Sequence, residues 1–315
     1  MRNVAKTATL ENKFPLLAVE NNCILSKDAD ITACFEVRLP ELFTVASAEY
    51  EAIHSAWHKA IKTLPDFTVI HKQDWYIKEN YAPDLVQEDQ SFLSKSYQRH
   101  FNERPFLNHY CYLFLTKTTK NRMRMQSNFS SLCKGTLIPK EINKETIHRF
   151  MEAVAQFERI VNDSGFISLR RLTEDDIIGT DETQGLLEQY LTLSRENGTA
   201  MQDIALSAEE VRIGNKRLSL HTLSDTDDLP ATVSADTRFE KLSTDRSDCR
   251  LSFAAPVGLL LSCNHIYNQY LFLDNSEDNL QKFEKSARNM HSLARYSRAN
   301  QINKEWIEKY LNEAH

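Results

Sequence analysis

The residue types that cradle phosphates, ligate metals or act as nucleophiles are all present in this sequence, but their spacing suits none of those tasks. Seven glycines are spread over 315 residues and no two lie closer than six positions. A phosphate loop needs clustered glycines so that backbone amides can approach the anion, and the pattern GxxxxGK[ST] is absent. Of the six cysteines (Cys23, Cys34, Cys111, Cys133, Cys249 and Cys263), no two lie within ten residues of each other, which excludes CxxC zinc and redox motifs. Several fall in strand-like apolar runs, so they read as free, mostly buried thiols of a reducing compartment.

His54 and His58 stand four apart on one helical stretch, a spacing that can chelate zinc. A metalloprotease would need Glu between them, and Ser55 is there instead. Asp225, Asp227 and Asp228 begin like a calcium loop, but the run continues as Leu229-Pro230 without the required glycine and terminal Glu. Glu174, Asp175 and Asp176 follow Thr173, an acidic first turn that the helix macrodipole accounts for. No GxSxG elbow accompanies the Ser, His and Asp residues. The expectation is a chain without catalytic, cofactor-binding or metal-ligating residues.

Charge is distributed more tellingly. Residues 95–149 hold eleven Lys and Arg against three Asp and Glu, a net +8, whereas residues 163–248 hold nine against eighteen, a net −9. Arg99, Arg104, Lys117, Lys120, Arg122 and Arg124 are the candidate contact residues, with Tyr110, Tyr112, Phe114 and Phe129 among them. Interleaved cations and aromatics can track a single nucleic-acid strand. They can equally face a partner protein, an acidic lipid surface or only water, and these readings stay open.

The elements that would position these residues follow from periodicity. Residues 30–39 alternate, with Ile31, Ala33, Phe35, Val37 and Leu39 on one face of a strand. A helix with Ser47 as N-cap carries Tyr50, Ile53, Trp57, Ala60, Ile61 and Leu64. Strand 67–78, helix 88–103 (Phe92, Leu93, Tyr97 and Phe101 on one face) and strand 107–115 follow, the last apolar on both faces and therefore central. A polar, basic loop over 116–143 leads to a helix carrying Ile147, Phe150, Met151, Val154, Phe157 and Val161, ended by Gly165. Strand 166–172 closes this part, and one or two strands at 16–26 precede it.

Beyond lie a short helix at 184–195, a strand pair over 211–222 turning at Gly214-Asn215, and a Ser/Thr/Asp-rich loop at 222–248. A strand at 266–274 and a helix at 277–294 come next, the helix turning Leu280, Phe283, Ala287, Met290 and Ala294 inward. A last helix carries Ile302, Trp306, Ile307, Tyr310 and Leu311, and its abrupt end reads as a cut from a longer chain.

The expected fold class is α+β, with helices packed on a mixed sheet in the manner of ferredoxin-like split βαβ units. Residues 1–172 would form one domain and 173–315 a smaller second α+β region. A hydrophobic share of 41%, a net charge of −6 and a mean hydropathy of −0.49 suit a globular protein rather than a dedicated nucleic-acid binder or membrane protein. No stretch reaches the ~20 apolar residues needed to span a bilayer, and the N-terminus has no secretory h-region.

Long segments carry a family resemblance: KFPLLAVE at 13–20, HKQDWYIKE at 71–79, the basic run at 100–135, QFERIVNDSGF at 156–166 and 242–274. They resemble the N-terminal region of the TraG proteins of Bacteroidetes-type conjugative transposons, of the TrbE/CagE class of type IV secretion ATPases. The resemblance implies a non-catalytic assembly module in the bacterial cytoplasm, peripheral to the inner membrane. Its implied partners are inner-membrane components of the conjugation channel and its own C-terminal ATPase domain. A homo-oligomer and single-stranded DNA are further candidates. ATP and Mg²⁺ would belong to the motor that the family carries downstream.

Overall fold

The structure, a computed structural model, describes residues 14–40, 45–81, 91–119, 143–195, 199–207, 209–223, 237–238, 240, 243–246, 248, 250–251 and 261–294. Two short strands open the chain, β1 (Leu16–Glu20) and β2 (Cys23–Ser26), joined by Asn21-Asn22. Both asparagines have positive φ, 54° and 59°, as a two-residue type I′ hairpin requires, and Asn tolerates that region better than most residues.

The centre of the fold is a split βαβ arrangement. Strand β3 (Ile31–Arg38) leads through helix α1 (Ser47–Ile61) to β4 (Thr68–Glu79). After helix α2 (Phe92–Asn102), β5 (Phe106–Lys117) returns between β3 and β4. Helix α3 (Lys144–Asp163) then leads to β6 (Ser168–Arg171), which pairs with β3. The order β6-β3-β5-β4 is that of ferredoxin-like folds, as the alternation of elements predicts. The sheet is not mixed, however. Every described strand pair is antiparallel, because β5 inserts between the two strands that run the same way.

Helices α1 and α3 cover one face. Ala33, Phe35, Ile70, Leu113 and Leu115 from the sheet pack against Ala60, Leu64, Phe150, Val154, Phe157 and Val161. Trp57 meets Phe157 edge-on, with ring centroids 5.5 Å apart. Helix α1 starts one residue earlier than its sequence suggests: Ala46 is the N-cap and Ser47 the first helical residue. Glu49 supplies the capping acceptor, taking the Ala46 N–H at 2.6 Å.

Thr32, Glu36 and Arg38 make the opposite face of β3 polar in sequence, yet Cys34 on that face is fully buried. After β6 the chain passes beneath the sheet, tied by the Leu172 N–H to the Cys34 carbonyl at 2.9 Å. Helices α4 (Glu174–Ile178) and α5 (Leu186–Thr192) bring Leu172, Ile177 and Leu186 against Cys34, Trp75 and Tyr112. Gly185 permits this tight turn: a Cβ there would lie 2.2 Å from the Gly179 nitrogen.

Strands β7 (Ile204–Leu206), β8 (Val211–Ile213) and β9 (Lys216–Leu218) form a small antiparallel sheet whose turn uses Gly214 at φ 54°. Strands β10 (Thr237–Arg238) and β11 (Arg250–Leu251) pair with each other. Strand β12 (His265–Leu273) pairs along its whole length with β4, so the main sheet takes one of its strands from beyond Leu172. Helix α6 (Ser276–Ala294) follows. Its Leu280 and Phe283, expected inward, are 38% and 49% exposed: periodicity marks the side a helix could bury, not whether a layer arrives to cover it. The helix expected over residues 302–311 and most of the acidic loop at 222–248 lie outside the described residues.

Candidate interaction surface

Helix α2 occupies the connection between β4 and β5, at the end of their hairpin where Glu79 pairs with Phe106. Ser91 caps it, its Oγ accepting the Ser94 N–H at 3.2 Å. None of its residues is buried. Phe92, Leu93, Tyr97 and Phe101 are 82%, 77%, 63% and 39% exposed, whereas stripes of the same kind on α1 and α3 form the core. Tyr97 and Phe101 lie one turn apart, with ring centroids 4.5 Å apart, and Phe101 also approaches Tyr81 at 6.0 Å. Exposed Phe106 lies just beyond the helix.

The six cations singled out by sequence separate into three groups. Arg99 and Arg104 are exposed on and just after α2, Arg104 contacting His100 at 3.1 Å. Lys117 is buried at the far end of β5, where its ammonium donates to the Asp66 carbonyl and lies 5.4 Å from the centre of the Phe67 ring. Lys117 therefore does not share a surface with the α2 arginines. Lys120, Arg122 and Arg124 lie outside the described residues, as do Asp225, Asp227 and Asp228. His54 and His58 are exposed on α1 with stacked rings 6.5 Å apart. Among the described residues, no group of three or more His, Cys, Asp or Glu could hold a metal ion.

The structure also assembles polar groups that sequence reasoning missed. On the helix-covered face, Asp74 of β4 is nearly buried and meets both Lys72 and His109, the latter at 2.8 Å. Burial alone would raise the Asp74 pKa. The hydrogen bond from His109 and the nearby Lys72 charge outweigh it and hold the carboxyl below the ordinary aspartate value. Beside this pair, burial pushes the Cys111 thiol up to about 12, against the pull of Lys72. A thiol so raised stays protonated near neutrality. The sequence signal was weak, because Asp74 shares its β4 face with Lys72 and Lys78 and only His109 interrupts the run Leu107, Cys111, Leu113 and Leu115 on β5.

Under the opposite face lies a cleft of about 240 Å³ lined by Glu36, Arg170, Asp175, Asp176 and Arg195 among others. Arg170 forks between Glu36 and Asp176, both at 2.8 Å. Arg195 lies 3.6 Å over the Tyr110 ring and donates to the Tyr112 hydroxyl. Both guanidiniums are thus engaged, and three carboxylates share the lining, which disfavours an anionic ligand such as a nucleotide phosphate. Asp176 completes a capping box with Thr173, accepting the Thr173 N–H at 2.9 Å. A second cleft of about 270 Å³ lies between α1 and the sheet and is almost wholly apolar, lined by Tyr50, Ile53, Trp57 and Leu169 among others.

These features define an α+β protein with a ferredoxin-like core and an exposed helix that carries both aromatic residues and arginines. A family model described as "Domain of unknown function, B. Theta Gene description (DUF3875)" matches residues 3–55, which include β1, β2, β3 and the first part of α1. The matched domain is Bacteroidetes-associated. No curated protein matches the chain. Among the described residues, no helix is long and apolar enough to cross a membrane.

Proposed function

We propose that this chain is the non-catalytic docking module of a conjugative-transfer (type IV secretion) ATPase, coupling the motor to inner-membrane proteins of the transfer channel. The observation that carries the reading is the uncovered apolar side of α2, with Phe92, Leu93 and Tyr97 each more than half exposed beside Arg99 and Arg104. A helix that presents aromatic anchors and cations without burying any of them has the composition of a binding surface. The segment-by-segment resemblance to TraG N-terminal regions supplies the process, and the Bacteroidetes-associated match at residues 3–55 agrees with that source. In this reading ATP and Mg²⁺ serve the motor domain, and the module works at the cytoplasmic side of the inner membrane.

The test is co-purification of the full chain with inner-membrane channel proteins of a conjugative transposon, together with transfer frequency in cells. The double variant Leu93→Asp/Tyr97→Asp should weaken binding at least tenfold, and Arg99→Glu/Arg104→Glu should weaken it and reduce its salt sensitivity. Unchanged binding and transfer in both variants would refute the reading.

A second reading is a single-stranded DNA contact through segment 95–149, favoured by exposed Tyr97 and Phe101 standing beside Arg99 and Arg104. Affinity would then fall steeply with salt as counterions are released, and an unshifted fluorescence polarisation signal at low salt would exclude it.

A further inference from the structure

The main sheet ends in two very different edges. On one side β1 is five residues long, has a register irregularity between Leu16 and Ala18, and finishes on Glu20. Beside it, β6 is four residues long and carries Arg170 and Arg171. Short strands, bulges and charges are the devices that keep an edge from pairing with another chain. Strand β12, at the other end, has none of them. Its nine residues, HIYNQYLFL, include no Lys, Arg, Asp, Glu or Pro, and they pair with β4 in unbroken register from His265 to Leu273. Residues 268–272 are all exposed, Tyr270 at 57%, Leu271 at 44% and Phe272 at 45%. Among the described residues no strand lies on the outer side of β12.

We propose that a second copy of this chain occupies this edge, the two β12 strands pairing antiparallel about a two-fold axis at Gln269. This inference does not depend on the docking function proposed above. The strand is complementary to itself in that register. Ile266 meets Phe272 of the second copy, Tyr267 meets Leu271, Asn268 meets Tyr270, and the two Gln269 residues face each other. Aliphatic–aromatic cross-strand pairs of this kind stabilise antiparallel sheets, and a neutral strand brings no like charges together. A register centred on Gln269 is also the one that pairs all nine residues.

The faces agree as well. Ile266, Asn268, Tyr270 and Phe272 share the face of His71 and Phe114, as their pairings across β4 and β5 require. His71 stacks on Tyr270 at 4.1 Å and lies 5.2 Å from Phe114. A two-fold axis normal to the sheet keeps this face on one side, so the aromatic band runs on into the second copy. The contact is isologous and closes at two subunits rather than growing into a fibre. A single strand pair buries less than the roughly 1,200 Å² of stable interfaces, so association in the micromolar range is expected.

Sedimentation equilibrium of the full chain over a wide concentration range reads this directly. The unaltered protein should show a monomer–dimer equilibrium. Leu271→Lys should weaken it at least tenfold by adding the missing edge charge, and Phe272→Lys serves the same purpose if the first variant folds poorly. Register is read by cross-linking in a Cys133→Ser/Cys249→Ser/Cys263→Ser background with a mild oxidant. Gln269→Cys should give covalent dimer, because directly opposed Cα atoms lie about 4.5–5.5 Å apart. Leu271→Cys should not, because its symmetry mate is four residues away, about 13 Å.

A monomer at every concentration overturns the proposal. So does a dimer that neither lysine variant weakens, or cross-linking as efficient at 271 as at 269. If the chain stays monomeric while a channel protein protects the β12 amides from hydrogen exchange, the edge belongs to a partner strand instead, and self-pairing is again overturned.

Discussion

Replacing Leu93 with aspartate should barely change stability, although Leu93 lies in an apolar helical stripe. The side chain is 77% exposed, so folding hides about a quarter of it. Full burial of a leucine contributes about 1.5–3 kcal/mol, which leaves roughly 0.5 kcal/mol at stake here. The lower helix propensity of aspartate adds roughly 0.5 kcal/mol, and its favourable place in the first turn of α2 returns a similar amount. A net loss under about 1 kcal/mol corresponds to a melting shift of no more than about 4 °C. Phe157→Ala is the reference: that ring is fully buried against Trp57, and its truncation should cost about 3–5 kcal/mol. Thermal melts followed by circular dichroism compare the two directly. If Leu93→Asp shifted the midpoint as far as Phe157→Ala, the α2 face would be part of the core, and its reading as a docking surface would fail.

Two further outcomes test other parts of the structure. The Asp74 carboxyl is held below its ordinary value in the folded protein, so its contribution to stability is present above the unfolded aspartate pKa and is lost as pH falls through the folded value. Asp74→Asn should therefore destabilise the protein at neutral pH and flatten the acid limb of its stability profile; denaturant titrations between pH 2 and 7 would show an unchanged limb if the pairing with His109 and Lys72 were unimportant. Gly185→Ala should cost about 1–3 kcal/mol, because its Cβ would press on backbone atoms of Ile178 and Gly179 rather than on a flexible side chain; a neutral effect in equilibrium unfolding would mean the α4–α5 turn is looser than described.

Much of the fold was legible in local pattern. Ile31, Ala33 and Phe35 of the alternating strand, the stripe Phe150, Val154, Phe157 and Val161, and Cys111, Tyr112, Leu113 and Leu115 of the two-sided β5 are buried, whereas Leu39, expected on the face of Phe35, is 40% exposed and His109 of β5 is exposed. These signals work because neighbours two, three or four residues apart share a face whatever the rest of the chain does. The candidate surface was legible only in part: Arg99 and Arg104 are exposed, but Lys117 has the same charge and lies buried at the opposite end of β5.

Composition and spacing alone determined that the sequence contains no phosphate loop and no CxxC pair, and that its apolar stripes suit an α+β fold. Tertiary structure alone decided which stripes are covered. Phe92, Leu93 and Tyr97 have the periodicity of a core helix, yet all three are more than half exposed on a helix between the paired strands β4 and β5. Strand β12 looks like any half-buried strand until it is seen beside β4, nearly two hundred residues away, as in the His71–Asn268 contact, with no strand on its other side among the described residues. Coverage depends on contacts between distant segments, which periodicity does not encode. For that reason the uncovered α2 face and the unprotected β12 edge emerged only from the folded chain.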